Sequence, residues 1–192
     1  VKYNGVDYDL YGVVWDVSTS LVHTEFLLQS GLVYSSYFQK LSQWKTVQDD
    51  IDLEQFLVCF KNASDELTIL PVAHTNPSHV LTPGTPITRS DIVADITMSN
   101  MTGGKFIVTY SYQHTILGID YVASKLFTVT LASGVLTDNA DDLTLQDSYP
   151  LTSVTPHFQD TITNYYCGAD IILVFVCLVN AGGALTNENR VL

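Results

Sequence analysis

Apolar and polar residues alternate along most of this chain, and that period of two is its strongest constraint. Lys105 to Tyr112 reads Lys-Phe-Ile-Val-Thr-Tyr-Ser-Tyr, with Phe106, Val108, Tyr110 and Tyr112 on one face and Ile107, Thr109 and Ser111 on the other. Lys125 to Leu131 does the same, with Phe127, Val129 and Leu131 opposite Leu126, Thr128 and Thr130. Strand side chains point alternately to the two faces of a sheet, so this pattern in β-branched and aromatic residues predicts half-buried strands. Ile171 to Val179 is apolar throughout and predicts a central strand covered on both sides. Gln55 to Phe60 and Leu67 to Val72 form a further apolar pair, joined by Lys61 to Glu66, which has the polar chemistry of a hairpin turn.

Helical spacing is weak by comparison. Leu21 to Trp44 places Leu28, Leu32 and Leu41 near a helical period, but Gly31 and Tyr34-Ser35-Ser36-Tyr37 are poor helix formers, so the stretch reads as strand-rich. Asp50 to Phe60 admits a second reading, a short helix entered through an Asp cap. Asn76-Pro77, Pro83 to Pro86, Gly103-Gly104, Asp138 to Asp142 and Gly182-Gly183 mark loops. No linker divides the chain. The fold class expected is all-β, a single β-rich domain over 1–192 built of antiparallel sheets, as propeller-like blades or as a β-sandwich or jelly roll.

Charge narrows the function classes. Eight Lys and Arg against twenty Asp and Glu leave a formal net charge of −12 in 192 residues. Nucleic-acid binding normally needs a basic face, so no nucleic-acid partner is expected. Hydrophobic residues make up 46%, enough for a real core and unlike a disordered chain. Val1 to Asp9 is polar and does not read as a signal peptide. The longest apolar stretch, Ile171 to Val179, falls far short of the roughly 18–20 residues of a spanning helix, so no membrane insertion is expected.

A strand-turn-restart ending occurs three times. Ala132-Ser133-Gly134-Val135-Leu136-Thr137 follows Lys125 to Leu131, Ala181-Gly182-Gly183-Ala184-Leu185-Thr186 follows Ile171 to Val179, and Pro77-Ser78-His79-Val80-Leu81-Thr82 follows Leu67 to Val72. An apolar residue comes a few positions later each time, at Ile87, Leu143 and Leu192. A unit recurring near every ~50 residues suits propeller blades or tandem β modules, here near 50–87, 100–143 and 160–192. The run Val174 to Gly183, with its double glycine, resembles a kelch-type blade strand, and its Asn180-Ala181-Gly182 turn resembles tandem blades of large surface adhesins. The resemblance implies β-propeller-type blades. The chain departs from it in lacking a Tyr and Trp after Gly183 at kelch spacing and in lacking an Asp-x-Asp-x-Asp-Gly calcium loop.

Chemistry-bearing residues are scattered. His74 and His79 are separated by Pro77 and lack the helical spacing and intervening Glu of a metalloprotease, so hydrogen-bonded surface histidines are the default reading. No Gly-x-Ser-x-Gly elbow is present. Cys59 and Cys177 sit in apolar runs and read as buried thiols, whereas Cys167 is the candidate exposed one. Three cysteines leave one disulfide open without choosing its pair. Asp138, Asp141 and Asp142 lie in a turn after a strand and form the candidate Ca²⁺ site, although Ala140 breaks the alternating ligand pattern and a solvated acidic loop is the plainer reading. Asn62-Ala63-Ser64 and Asn100-Met101-Thr102 are glycosylation sequons, which makes Asn62 and Asn100 candidate acceptors and agrees with an extracellular or surface location.

No catalytic constellation emerges, and no cofactor beyond that Ca²⁺ is implied. The chain carries eleven tyrosines, suited to interfaces because the ring is apolar and the hydroxyl wet. The expectation is a non-enzymatic structural or adhesion module of a surface assembly, joined to copies of itself or to other subunits by sheet edges and Tyr-rich contacts. The alternatives are a viral coat protein of jelly-roll type and a carbohydrate- or calcium-dependent binding module.

Overall fold

A computed structural model describes residues 2–22, 24–32, 45–50, 53–75, 78–101, 104–116, 119–150, 162–168, 171–179 and 185–191. They form an all-β protein of several antiparallel sheets, none closed into a barrel, and among the described residues there is no helix. Among the described residues, seventeen strands make up four sheets. β1 (Lys2–Tyr3), β2 (Tyr8–Gly12) and β5 (Phe26–Leu32) form the first, and β3 (Trp15–Asp16) and β4 (Leu21–Val22) a separate two-stranded ribbon. The main sheet has nine strands: β6 (Lys45–Asp50), β7 (Leu53–Lys61), β8 (Glu66–Thr75), β9 (Val80–Pro83), β10 (Ile87–Asn100), β11 (Lys105–Ile116), β12 (Ile119–Ala132), β13 (Val135–Asp138) and β14 (Leu143–Pro150). The last sheet comprises β15 (Ile162–Gly168), β16 (Ile171–Val179) and β17 (Leu185–Val191).

The main sheet runs in the order β13-β12-β11-β10-β8-β7-β6. It folds over on itself at β10. Ile87 to Arg89 pair with β8, the register shifts before Ile92, and Ile92 to Asn100 pair with β11. The irregularity re-aims the strand, as bulges do. One half of the sheet thus packs on the other, and the principal core fills the space between them: Leu57, Cys59, Leu67 and Ile69 on one side, Met98, Phe106, Val108, Tyr110, Phe127 and Val129 on the other. Cys59 Sγ lies 3.6 Å from Met98 Sδ across that core.

A second core occupies the opposite face of β7 and β8. Val58, Phe60, Leu70 and Val72 meet Leu10, Leu28 and Leu32 of the first sheet and Leu81 of β9. The two strands are therefore a middle layer, apolar on both faces, which accounts for their unbroken runs of apolar residues. It also corrects the helical alternative for Asp50 to Phe60: β7 is a strand because alternate residues must serve two cores on opposite sides. On the face of β10 and β11 away from the principal core, Thr97, Ser99, Ile107 and Thr109 are buried, and the backbone of β15 approaches both strands. The half-buried strand expected over Lys105 to Tyr112 is buried on both faces from Phe106 to Tyr110.

β16 is the middle strand of its sheet, the cover expected on both its faces lies outside the described side chains, and β17 returns antiparallel onto it from Val179↔Leu185 to Leu173↔Val191. β7-β8-β9, β11-β12-β13 and β15-β16-β17 are each a three-stranded meander, and Leu81-Thr82, Leu136-Thr137 and Leu185-Thr186 stand at or near the start of the third strand in each. In the first two meanders that edge is shared: β9 and then β10 run along β8, β13 and then β14 along β12. Ile87 and Leu143 are the residues that open the continuing strands. Pro71, which has no N–H to donate, lies between the β8 residues that pair with β10 and those that pair with β9, and its carbonyl accepts from Gly84 N at 2.8 Å.

Candidate functional site

The most exposed apolar surface among the described residues lies in the ribbon β3–β4. Its sequence, Val13-Val14-Trp15-Asp16-Val17-Ser18-Thr19-Ser20-Leu21-Val22, contains one charge. Trp15 pairs with Val22 and Asp16 with Leu21, so Trp15 and Val22 share one face. Trp15 is 64% and Val22 68% exposed, and Val13, Val17 and Leu21 are exposed beside them. Only Val14 turns in, against the second core. The tip is polar and rigidly organised. Asp16 accepts from Ser18 Oγ and Thr19 Oγ1, both at 2.7 Å, and from Ser18 N at 2.8 Å. Those bonds, the Ser18 hydroxyl first and then Thr19, hold the Asp16 carboxyl well below the usual carboxylate range. The ribbon thus presents an uncharged apolar face on its stem and a fixed anion at its tip.

The acidic loop lies on the other side of the molecule's sequence, between β13 and β14, and its three aspartates do not converge. Arg89 of β10 takes two of them. Its Nε and one terminal nitrogen bind Asp138 at 2.9 and 2.7 Å, and the other terminal nitrogen binds Asp142 at 2.6 Å. The guanidinium carbon stands 3.7 Å over the centre of the Phe127 ring. Burial disfavours the charged guanidinium, but hydrogen bonds and charge from Asp138 and Asp142 outweigh it and hold the pKa above its ordinary value. Asp141 instead accepts from Thr128 N at 2.7 Å and from its hydroxyl, while Asn139 N donates to Thr128 O at 3.1 Å. The loop therefore stands in for a neighbouring strand at Thr128, where the pairing of β12 changes from β13 to β14. Among the described residues, no group of three or more His, Cys, Asp or Glu is arranged to hold a metal ion.

A second polar group adjoins the first. The Tyr110 ring is buried in the principal core and its hydroxyl donates to Asp91 at 2.5 Å. Lys125 Nζ stands 3.4 Å from Asp91 and 4.5 Å from the centre of the Tyr112 ring. Burial, then the bond to Asp91, push the Tyr110 hydroxyl above its ordinary pKa, so it stays protonated as a donor. Asp91 falls in the irregular stretch of β10 between Arg89 and Ile92. These groups close the open end of the folded-over sheet with side chains where no backbone ladder connects β10 to β13.

The remaining candidates are placed as follows. Asn62 organises the β7–β8 turn: its Oδ1 accepts from Ser64 N at 2.8 Å and Glu66 N at 3.0 Å, and its Nδ2 donates to Glu66 at 2.9 Å. Asn100 is exposed at the end of β10. Cys59 is a fully buried thiol outside any disulfide, and burial pushes its pKa up to about 12. The register of β15 and β16 puts Cys167 beside Ile171 and Ile172 while Cys177 lies at the far end of β16, roughly 17 Å along the strand, too far for a disulfide between them. His74 and His79 are brought together, which their sequence spacing did not indicate. The ribbon and Arg89 were missed as well. For the ribbon a signal existed, two apolar runs around Asp-Val-Ser-Thr-Ser; for Arg89 none did.

No helix of the described residues is long and apolar enough to cross a membrane. In comparison with known proteins, no family model matches the chain and no curated protein matches it.

Proposed function

We propose that this chain is a non-enzymatic structural module built into a larger assembly of copies of itself, seated through the stem of the β3–β4 ribbon. The observation that carries the reading is the exposed, charge-free face of Trp15 and Val22, flanked by Val13 and Val17. An isolated two-stranded ribbon is marginal in water, so a partner against that face stabilises the ribbon itself. Trp is the residue type most enriched among interface hot spots. The polar tip favours a protein partner over a bilayer, because insertion would carry the ionised Asp16 into hydrocarbon. The polar clusters support the same reading from the other side, since Arg89, Asp138, Asp142 and Tyr110 are engaged with one another or with Asp91 and serve packing.

Sedimentation velocity over a concentration series tests this. The expected result is reversible association that Trp15→Glu with Val22→Glu abolishes, with the melting temperature of the dilute protein little changed. A wild-type chain that remains monomeric at millimolar concentration, or a double variant that associates equally well, overturns it.

A further inference from the structure

Two histidines meet at the turn between β8 and β9. His74, near the end of β8, pairs in register with Leu81 of β9 and Glu54 of β7. His79 lies just before β9 with its backbone in the left-handed region, φ 54°. That conformation is unfavourable for a residue with a Cβ. It is held by the His79 amide, which donates to Thr75 O at 2.8 Å, while Ser78 Oγ donates to the same carbonyl at 3.3 Å. The outcome is that His74 Nε2 and His79 Nδ1 face each other across 3.3 Å. The rings are within 21° of parallel with centroids 5.5 Å apart, and the Phe56 ring lies 6.4 Å from that of His74. Both histidines are half-buried, so small ions can reach the pair.

Two zinc–nitrogen bonds of about 2.0–2.1 Å that meet at the tetrahedral angle separate their nitrogens by about 3.3–3.4 Å. The observed separation matches that chord. We propose that His74 and His79 form a two-histidine chelate for a divalent first-row transition ion of the zinc type. Imidazole suits such ions, whereas calcium prefers oxygen donors. In the ion-free pair one hydrogen bridges the two facing nitrogens. On binding, that hydrogen moves to the far nitrogen of its own ring, both rings stay neutral, and both facing lone pairs go to an ion about 1.2 Å off the line between them. Each ring must turn by about 36° from the line between the nitrogens to aim its lone pair at that ion. The chain's net charge of −12 raises the local cation concentration. Among the described residues no third His, Cys, Asp or Glu completes a cluster with the pair.

The experiment is a calorimetric zinc titration of the full chain after chelator treatment, read alongside histidine ring-nitrogen NMR. The expected result is a zinc site at which both rings shift, and an affinity that falls at least about tenfold in His74→Ala and in His79→Ala. At zinc one hundred times the dissociation constant, the ratio of folded to unfolded chain rises about 100-fold, and calcium produces no ring shift. His74→Gln with His79→Asn preserves polarity at the turn and serves as the second variant, its fold checked by circular dichroism. No ring shift at millimolar zinc, or zinc affinity that is unchanged in that folded double variant, overturns the proposal.

Discussion

Arg89 and Asp138 are joined by two parallel hydrogen bonds although their strands, β10 and β13, are separated in the sheet by β11 and β12. The sheet is folded over so far that the guanidinium lies across the face of Phe127 and reaches the far edge. Arg89 is largely buried and shares its charge with Asp142 as well. The pair is a side-chain clasp over a gap that backbone hydrogen bonds leave open.

Removing the clasp is expected to be costly. Arg89→Ala leaves two carboxylates facing one another without their cation, and we expect a loss of about 2–4 kcal/mol in urea unfolding. Arg89→Lys is expected to recover less than half, since an ammonium cannot form both parallel bonds while lying flat on Phe127. A double-mutant cycle with Asp138→Asn measures the coupling, and a coupling near zero would show that the clasp does not stabilise the fold.

Two glycines separate backbone strain from crowding. Gly104 and Gly134 both have φ in the left-handed region, at 73° and 79°. A Cβ at Gly134 meets nothing within 4 Å, whereas one at Gly104 falls 2.5 Å from the Leu131 carbonyl oxygen, where the β10–β11 turn abuts β12. Gly134→Ala is expected to cost about 1 kcal/mol and Gly104→Ala at least twice that. Equal losses in thermal unfolding would show that the turn yields freely.

Cys59 links stability to pH. Its thiol is neutral in the folded chain and ionises only near about 12, while the unfolded thiol ionises near 9. A raised folded pKa means the contribution is complete below about 9 and is lost as pH climbs from there toward about 12. Cys59→Ala is expected to flatten that alkaline decline relative to wild type. Peptide mapping after alkylation at pH 8 is expected to find Cys59 unmodified until denaturant is added; ready modification of the native protein would contradict its burial.

The Asn62 side chain braces the β7–β8 turn alongside its backbone hydrogen bonds. Asn62→Ala removes an acceptor shared by the amides of Ser64 and Glu66, and we expect a loss of about 1–2 kcal/mol with faster hydrogen exchange at those two positions. Unchanged exchange would mean the turn holds without the side chain.

Much of this fold is legible in the sequence because its information is local. The alternation at Phe106 to Tyr110 and Phe127 to Leu131, the apolar runs of β7 and β8, and the return of β17 all depend on neighbours in the chain. What is not legible depends on how far the sheet curls. Arg89 meets partners 49 and 53 residues away, and nothing near position 89 announces them. The same curl brings Asp138 and Asp142 onto Arg89 while Asp141 turns to Thr128, although their spacing suggests one cluster. Trp15 is a different case. Whether a strand face is covered is settled by the other sheets, which approach Val14 and leave Trp15 bare.

The sandwiched position of β7 and β8 has one more consequence. In a sheet with one wet side, a pairing error of a single step exposes oily groups and buries polar ones, so water itself rejects the mistake. Between Leu57 and Pro71, and again between Val58 and Leu70, such an error would exchange one greasy neighbour for another. Alignment of these two strands must then be dictated from their ends, and the hairpin bend at Asn62 is where a misthreaded chain would first be found out.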